Sequence, residues 1–309
     1  AARRHRARRR GAGDATAVTG FSLVMATRGR TAEIAAFLDS VLAQGTPDAE
    51  AIIVDQNADA RLDAVLAPYA GRLKLLHLRS DVANANHARN LGLAAARGAL
   101  VGFPDDDCLY PAGVLARVAA AFAADPALAL LTGPAESPAG GLGSGRWREA
   151  GGAIDAANVW TSVIEFNLWL RRPVALALGG FDEAMGPGTP LGSAEGNDLV
   201  LRAIGAGHQA RYDPALRVIH PDKRLTDVAT ARARLYGRGL GFALRRHGVP
   251  PATWLPFAVR PIGGAALSLL KGRPRDAGYY AMTLLGRAEG FLRRDAAAGR
   301  VRPAMRGAA

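Results

Sequence analysis

Three consecutive carboxylates, Asp105-Asp106-Asp107, stand directly behind the apolar run Leu100-Val101-Gly102-Phe103 and its stop at Pro104. Two earlier apolar runs end in polar groups as well: Phe21–Ala26 leads into Thr27 and Arg28, and Ala51–Val54 into Asp55. Carboxylates gathered at one edge repel each other unless a cation joins them. Hard divalent ions such as Mn²⁺ or Mg²⁺ take oxygen ligands and bridge a few carboxylates to substrate phosphates. The pattern therefore implies a nucleoside-diphosphate site in which metal, rather than a glycine loop, neutralises the phosphates. The glycine-loop alternatives lack support, because Ala26-Thr27-Arg28-Gly29-Arg30 is not G-x-G-x-x-G and G-x-x-x-x-G-K-[ST] occurs nowhere. Asp107 alone would serve as a cap for the helix after Pro111, but three acids exceed that need. Further along, Glu195 and Asp198 lie three apart on one face at a helix start, where the dipole favours anions.

These groups need a scaffold, and the chain supplies one. Short apolar strands are expected at 21–26, 51–54, 73–78, 100–103 and 128–131, alternating with helices at 32–43, 61–69, 86–96 and 112–124. Such alternation implies an α/β fold with a mostly parallel, Rossmann-like sheet covered on both faces. Ligands bind outside the carboxyl ends of its strands, which is where Thr27, Asp55 and Asp105–Asp107 fall. Residues 133–152 are rich in Gly, Pro and Ser and read as a flexible loop, a lid joining two halves of one domain. Beyond it the pattern predicts helices at 173–178 and 194–204 and short strands at 209–212 and 216–219, the last running into His220. The expected organisation is a disordered basic arm over 1–19, a catalytic domain over 20–225 (nucleotide-binding half 20–132, acceptor half 133–225), and a helical basic region over 226–309.

Composition limits the alternatives. The 309 residues are 49% hydrophobic and 21% charged, which excludes wholesale disorder. One cysteine, Cys108, rules out a disulfide scaffold and a cysteine-rich zinc site. The most apolar long stretch, Trp254–Leu270, is broken by Arg260, Pro256 and Pro261, so a spanning helix is not expected. The net charge of +12 invites a nucleic-acid reading, but residues 21–220 hold 16 basic and 21 acidic side chains while 221–309 hold 17 and five. An acidic centre between basic ends, with only 6% aromatics, argues against a nucleic-acid partner. A basic nucleic-acid-binding α/β protein and a nucleotidyltransferase using the same acidic edge are the alternative readings of the sequence. The expected location is cytoplasmic, peripheral at the inner face of the cell membrane.

The segments FSLVMATRGR, IIVDQN, NANHARNLGLAAARGALVGFPDDDCLYP, GGFDE and GSAEGNDLVLRAIGAGHQARYDPALRVIH, in that order, resemble the family 2 inverting glycosyltransferases of the type A nucleotide-diphospho-sugar transferase fold. The resemblance covers residues 21 to about 220. It implies transfer of a sugar from a nucleotide-diphospho-sugar donor to a glycan or lipid-linked acceptor hydroxyl, in cell-surface polysaccharide or glycolipid synthesis. It further implies that Thr27, Asp55 and Arg89 contact the donor nucleotide, and Arg28, delivered by the same strand end as Thr27, is expected in the nucleotide-sugar site. Asp105 and Asp107 match the outer members of the family's D-x-D, one facing ribose and one the metal. The run of three leaves Asp106 eligible for either role. His220 matches a histidine near the metal or the diphosphate. The family has Glu-Asp-x-Asp where this chain has Glu195-Gly196-Asn197-Asp198, so Glu195 is the expected general base and Asp198 the fallback. A further departure is Asp-Gln-Asn at 55–57, in place of Asp-Asp-Gly-Ser. Residues 226–309 are expected to lie on an anionic membrane, with apolar groups of Tyr236–Arg246 and of Leu284, Leu285, Phe291 and Leu292 beside arginines.

Overall fold

The alternation of short strands and helices forms as expected in the computed structural model, which describes residues 20–46, 48–143, 145–222 and 227–293. The basic arm expected over 1–19 lies outside the described residues. In chain order the first half runs β1 (Phe21–Thr27), α1 (Ala32–Leu42), β2 (Ala49–Asp55), α2 (Asp63–Leu66), β3 (Lys74–Arg79), α3 (Ala85–Ala95), β4 (Leu100–Gly102), α4 (Val114–Ala124) and β5 (Leu128–Thr132). The second half runs β6 (Ala135–Glu136), β7 (Gly152–Ala153), a 3-10 turn at Glu165–Asn167, β8 (Leu168–Arg171), α5 (Arg172–Ala177), α6 (Glu195–Gly205), β9 (Gln209–Tyr212) and β10 (Val218–Ile219). Three helices follow: α7 (Asp227–Arg246), α8 (Pro251–Leu270) and α9 (Pro274–Leu292).

The main sheet has the order β3-β2-β1-β4-β8-β5-β9-β7. Strand β1 is parallel to both β2 and β4. The chain thus steps outward from β1 to β3 and returns to β4 on the other side of β1, which opens a crevice at the carboxyl ends of β1 and β4. Alternation along β1 divides the core: Phe21, Leu23 and Met25 pack with α1 and α4, whereas Val24 packs with α3 and α6. Both faces of these strands are therefore buried, and their sequences read as continuous apolar runs.

Strand β8 was not anticipated. It lies antiparallel between β4 and β5, so the sheet is mixed at its centre. Trp169 of β8 is fully buried against Gly102 of β4, where a Cβ would come within 2.6 Å of the indole ring. Residues 133–152, expected as a flexible lid, instead contribute β6 to a two-stranded sheet with β10 and begin β7. Ser137 donates to Asp222 at 2.6 Å and closes that segment against the end of β10.

Helices α7 and α9 meet through glycine. A Cβ at Gly241, Gly286 or Gly290 would fall 2.0–2.1 Å from a carbonyl oxygen of the facing helix, so only glycine permits this approach. Glu289 pairs with Arg234 and Arg238 across the same contact. On its other side α7 closes against the body. Gly239 abuts Ser193, and Phe242 and Ala243 share a cluster with Met185, Leu191 and Ala194. In the stretch Tyr236–Arg246, expected to offer its apolar groups to a membrane, Phe242, Ala243 and Leu244 are buried and Tyr236 is exposed; exposed apolar side chains also lie on α8, at Leu255, Val259, Ile262, Leu267, Leu269 and Leu270, and on α9, at Leu285 and Leu292. Among the described residues, no helix is long and apolar enough to cross a membrane.

Candidate active site

The crevice at the ends of β1 and β4 collects the acids. Asp105 and Asp107 turn toward His220, and one ligand atom from each of the three lies within 4.8 Å of the others. His220 is delivered by β10, whose Ile219 exchanges backbone hydrogen bonds with Leu109, two residues beyond Asp107. Its ring stacks on Phe166 with centroids 4.4 Å apart, its Nδ1 lies 2.8 Å from the carbonyl of Pro221, and its Nε2 is 3.2 Å from Asp107. The Nδ1 contact leaves Nε2 aimed at the carboxylates. Burial pulls the imidazole pKa down, but Asp107 and Asp105 together raise it above the usual value. Two carboxylates and an imidazole fit a hard divalent cation such as Mn²⁺ or Mg²⁺.

Asp106 turns away from that cluster. It accepts from Thr27 Oγ1 at 2.8 Å and pairs with Arg30 Nε at 2.8 Å, while burial pushes its carboxyl up to about 6. Arg30 reaches Asp107 as well, at 2.6 Å. Arg28, the neighbour singled out by sequence, is exposed and carries no described contact to the acids. At the end of β2, Asp55 is wholly buried. One oxygen accepts from the backbone N–H and side-chain amide of Asn57 at 2.8 and 2.7 Å, and the other faces His77 at 3.1 Å and Arg79 at 3.4 Å. Asn57 in turn accepts from the N–H of Gly29 at 2.7 Å, tying the ends of β1 and β2 together.

Arg89 links the acidic edge to α6. Helix α3 is capped by Asn84, whose side chain accepts from the N–H groups of Asn86 and His87, and this sets Arg89 inward at 4% exposure. One guanidinium nitrogen is 3.0 Å from Asp105 and the other 3.3 Å from Glu195. Glu195 is itself 4% exposed; burial, and next the nearby charge of Glu165, push its carboxyl up to about 8. Asp198, one turn on, behaves differently. It has no solvent exposure, and Arg202 at 2.8 Å, His247 at 2.8 Å and Arg246 at 3.4 Å surround it. Burial raises its proton affinity, but the hydrogen bond with His247 and the charges of Arg202 and Arg246 outweigh it and hold the carboxyl below its ordinary range. The two acids of the α6 first turn are thereby separated: Glu195 faces the crevice through Arg89, and Asp198 fastens α7.

A family profile described as Glycosyl transferase family 2 matches residues 22–172, a span that holds Thr27, Asp55, Arg89 and Asp105–Asp107. Residues 22–172 are a glycosyltransferase family 2 domain. The fold agrees. A mannosyltransferase from Pyrobaculum calidifontis, PcManGT, solved with GDP-Man and Mn²⁺, superposes with a TM-score of 0.64 at 18% identity over 91% of this chain and 89% of that one. S. aureus TarS 1–349 in complex with UDP-GlcNAc gives 0.56 at 16% identity over 89% and 94%, and its complex with UDP gives 0.54 at 19% identity over 88% and 90%. No curated protein sequence matches the chain.

Within this glycosyltransferase the structure brings Thr27, Arg89, Asp105, Asp106, Asp107, Glu195 and His220 to one crevice, at whose β1 end Arg28 is exposed, and turns Asp198 toward α7. Sequence reasoning did not anticipate the roles of Arg30, Phe166, His247 or Glu165. Arg30 is visible beforehand as part of an Arg-Gly-Arg turn after β1. The other three had no local signal, because each meets its partner through the fold.

Proposed function

We propose that this glycosyltransferase performs a metal-dependent, inverting transfer from a nucleotide-diphospho-sugar to an acceptor hydroxyl. The observation that carries the reading is the convergence of Asp105, Asp107 and His220 beside Arg89, with Glu195 at the α6 start on the far side of that arginine. Asp105, Asp107 and His220 would hold Mn²⁺ or Mg²⁺, which when bound stabilises charge on the departing nucleoside diphosphate. Arg89 draws the edge of the diphosphate site and α6 together. Thr27 and Arg30 hold Asp106 away from the cation, and Asp55 fixes Asn57 and His77 at the edge where we place the nucleotide base. A carboxylate beside the α6 start takes the acceptor's proton as the acceptor oxygen attacks the anomeric carbon, so one displacement inverts that centre. Glu195 is the residue nominated by sequence. The test is a thermal-shift panel of nucleoside diphosphates and their sugars with and without Mn²⁺, followed by NMR of the product anomer. A shift for one nucleotide that needs metal supports the reading; metal-independent shifts, or a retained anomer, refute it.

The same reading assigns the acceptor to cell-surface polysaccharide or glycolipid and seats the protein on an anionic bilayer. The apolar row of α8, a helix about 30 Å long, supports this. Exposed Arg260 within it and exposed Lys271, Arg273 and Arg275 at its carboxyl end complement acidic headgroups, each contributing about 1 kcal/mol near such a surface. Co-sedimentation with vesicles of mixed phosphatidylglycerol and phosphatidylcholine should exceed that with phosphatidylcholine alone, and Leu255→Asp with Val259→Asp should abolish it. Equal binding to both vesicles refutes the seat. Dimerisation lost in the same variant would instead make the row an interface between copies.

A further inference from the structure

Helix α6 begins without a side-chain cap of its own. Ala194, which precedes it, has φ of +66° and only a methyl group to offer. The first-turn N–H of Gly196 is taken instead by Glu165, whose Oε1 accepts it at 3.0 Å from a segment 31 residues earlier. The fit is close. A Cβ built on Gly196 would lie 2.7 Å from that Oε1 and 3.0 Å from both Cδ and Cγ of Glu165. The Glu165 carboxylate therefore fills the volume that a side chain at 196 would occupy, and Gly196 is what admits it.

Two further observations place Glu165 in the chemistry. The next residue, Phe166, is the plate on which His220 stacks, so one 3-10 turn aligns the histidine of the acidic cluster and sets a carboxylate over α6. Glu165 is only half-buried, whereas the Glu195 side chain is 5% exposed, with Arg89 on one oxygen. A proton acceptor has to reach the hydroxyl it deprotonates, within about 2.6–3.2 Å. Glu195 is screened from such contact and Glu165 is accessible.

We propose that Glu165 is the carboxylate that takes the acceptor's proton, and that Glu195 is its buried partner, held in place by Arg89. The assignment rests on the transferase reading above. In the step, the acceptor O–H gives its proton to a Glu165 oxygen while that acceptor oxygen bonds to the anomeric carbon. The bond from that carbon to the diphosphate breaks, and its electron pair leaves with the nucleoside diphosphate. The N–H of Gly196 orients the carboxylate throughout. Glu195 acts through this arrangement as a positioning residue, keeping Arg89 between α6 and Asp105.

The probe is the nucleotide-sugar that gives the largest Mn²⁺-dependent thermal shift in a panel of UDP- and GDP-sugars, with water as acceptor and nucleoside-diphosphate release as the readout. Glu165→Gln, which preserves an acceptor for the Gly196 N–H, should lower kcat by roughly 10²–10⁴-fold while calorimetric affinity for the nucleoside diphosphate with Mn²⁺ is retained. Glu195→Gln should lose less. Glu165→Ala combined with Gly196→Asp returns a carboxylate to the same space from α6 and should recover at least about tenfold over Glu165→Ala alone. Near-wild-type turnover in Glu165→Gln overturns the proposal, as does a double variant that binds nucleotide normally but recovers nothing. Loss confined to Glu195→Gln gives the role to Glu195. If the wild-type protein binds no nucleotide in a metal-dependent way, the transferase reading itself fails, and this is seen before any variant is made.

Discussion

Replacing Asp198 by Asn should weaken the fold while sparing the chemistry. The carboxylate has no solvent exposure and joins two cations and an imidazole: Arg202 of α6, Arg246 of α7, and His247 just beyond it. Removing one partner of a buried ionic group costs about 3–5 kcal/mol, because the remaining charges stay desolvated. The neighbours retain part of their bonding. Arg202 keeps the carbonyls of Leu178 and Gly180 at 2.7 Å each, and Arg246 keeps Asp182. The amide oxygen of Asn can still accept from one of them, so the lower end, about 3 kcal/mol, is expected. At about 2–4 °C per kcal/mol for a large domain, the melting temperature should fall by about 6–12 °C. Turnover measured where the variant is folded should stay within about threefold, since the carboxylate does not face the crevice. The pH dependence has a definite sign. With its folded pKa below 3.8, Asp198 stabilises fully above that value and loses its contribution as pH falls through the folded pKa, so the gap between wild type and variant should close in acid. An unchanged melting temperature together with a turnover loss of about 10²-fold or more would refute the reasoning and make Asp198 the base.

Asp107→Asn should weaken Mn²⁺-dependent nucleoside-diphosphate binding by at least about 10–100-fold, as it removes a charged oxygen from the cluster; unchanged calorimetric affinity would point to Asp106. Glu195 titrates from 4.5 toward about 8 on folding, so its burial favours the folded state below pH 4.5 and this advantage is lost as pH rises to about 8. Urea unfolding should therefore show Glu195→Gln gaining on wild type across that interval, and a constant difference would refute the burial argument. Gly102→Ala should cost about 1–3 kcal/mol by urea unfolding, because its methyl meets the fully buried Trp169 ring; wild-type stability would show that β4 and β8 have room to part.

What sequence reveals here depends on whether a residue's partner is set by its own element. Strands β1, β2 and β4 are legible because helices cover both faces, so nearly every position is apolar and the polar residue after each run marks the ligand edge. Strand β8 is not, since four residues behind a 3-10 turn carry no period, and their place is set by pairing with β4 and β5. The acidic run after β4 announces a cation site, but the turning aside of Asp106 follows from Thr27, 79 residues earlier, with Arg30 beside it. The helix-start acids look alike in sequence and diverge because His247, 49 residues on, returns to Asp198 alone. The packing of the basic end is hidden for a related reason. Its arginines suggest surface helices, whereas the spacing of Gly237 and Gly241 on α7, and of Gly286 and Gly290 on α9, adds a backbone-to-backbone contact between the two. Gly196 belongs to the same class of signal. A glycine at the head of a helix, where an acid would benefit from the dipole, leaves a space the size of a side chain beside the catalytic crevice. Close packing does not leave such spaces empty, and the group that fills this one is a carboxylate.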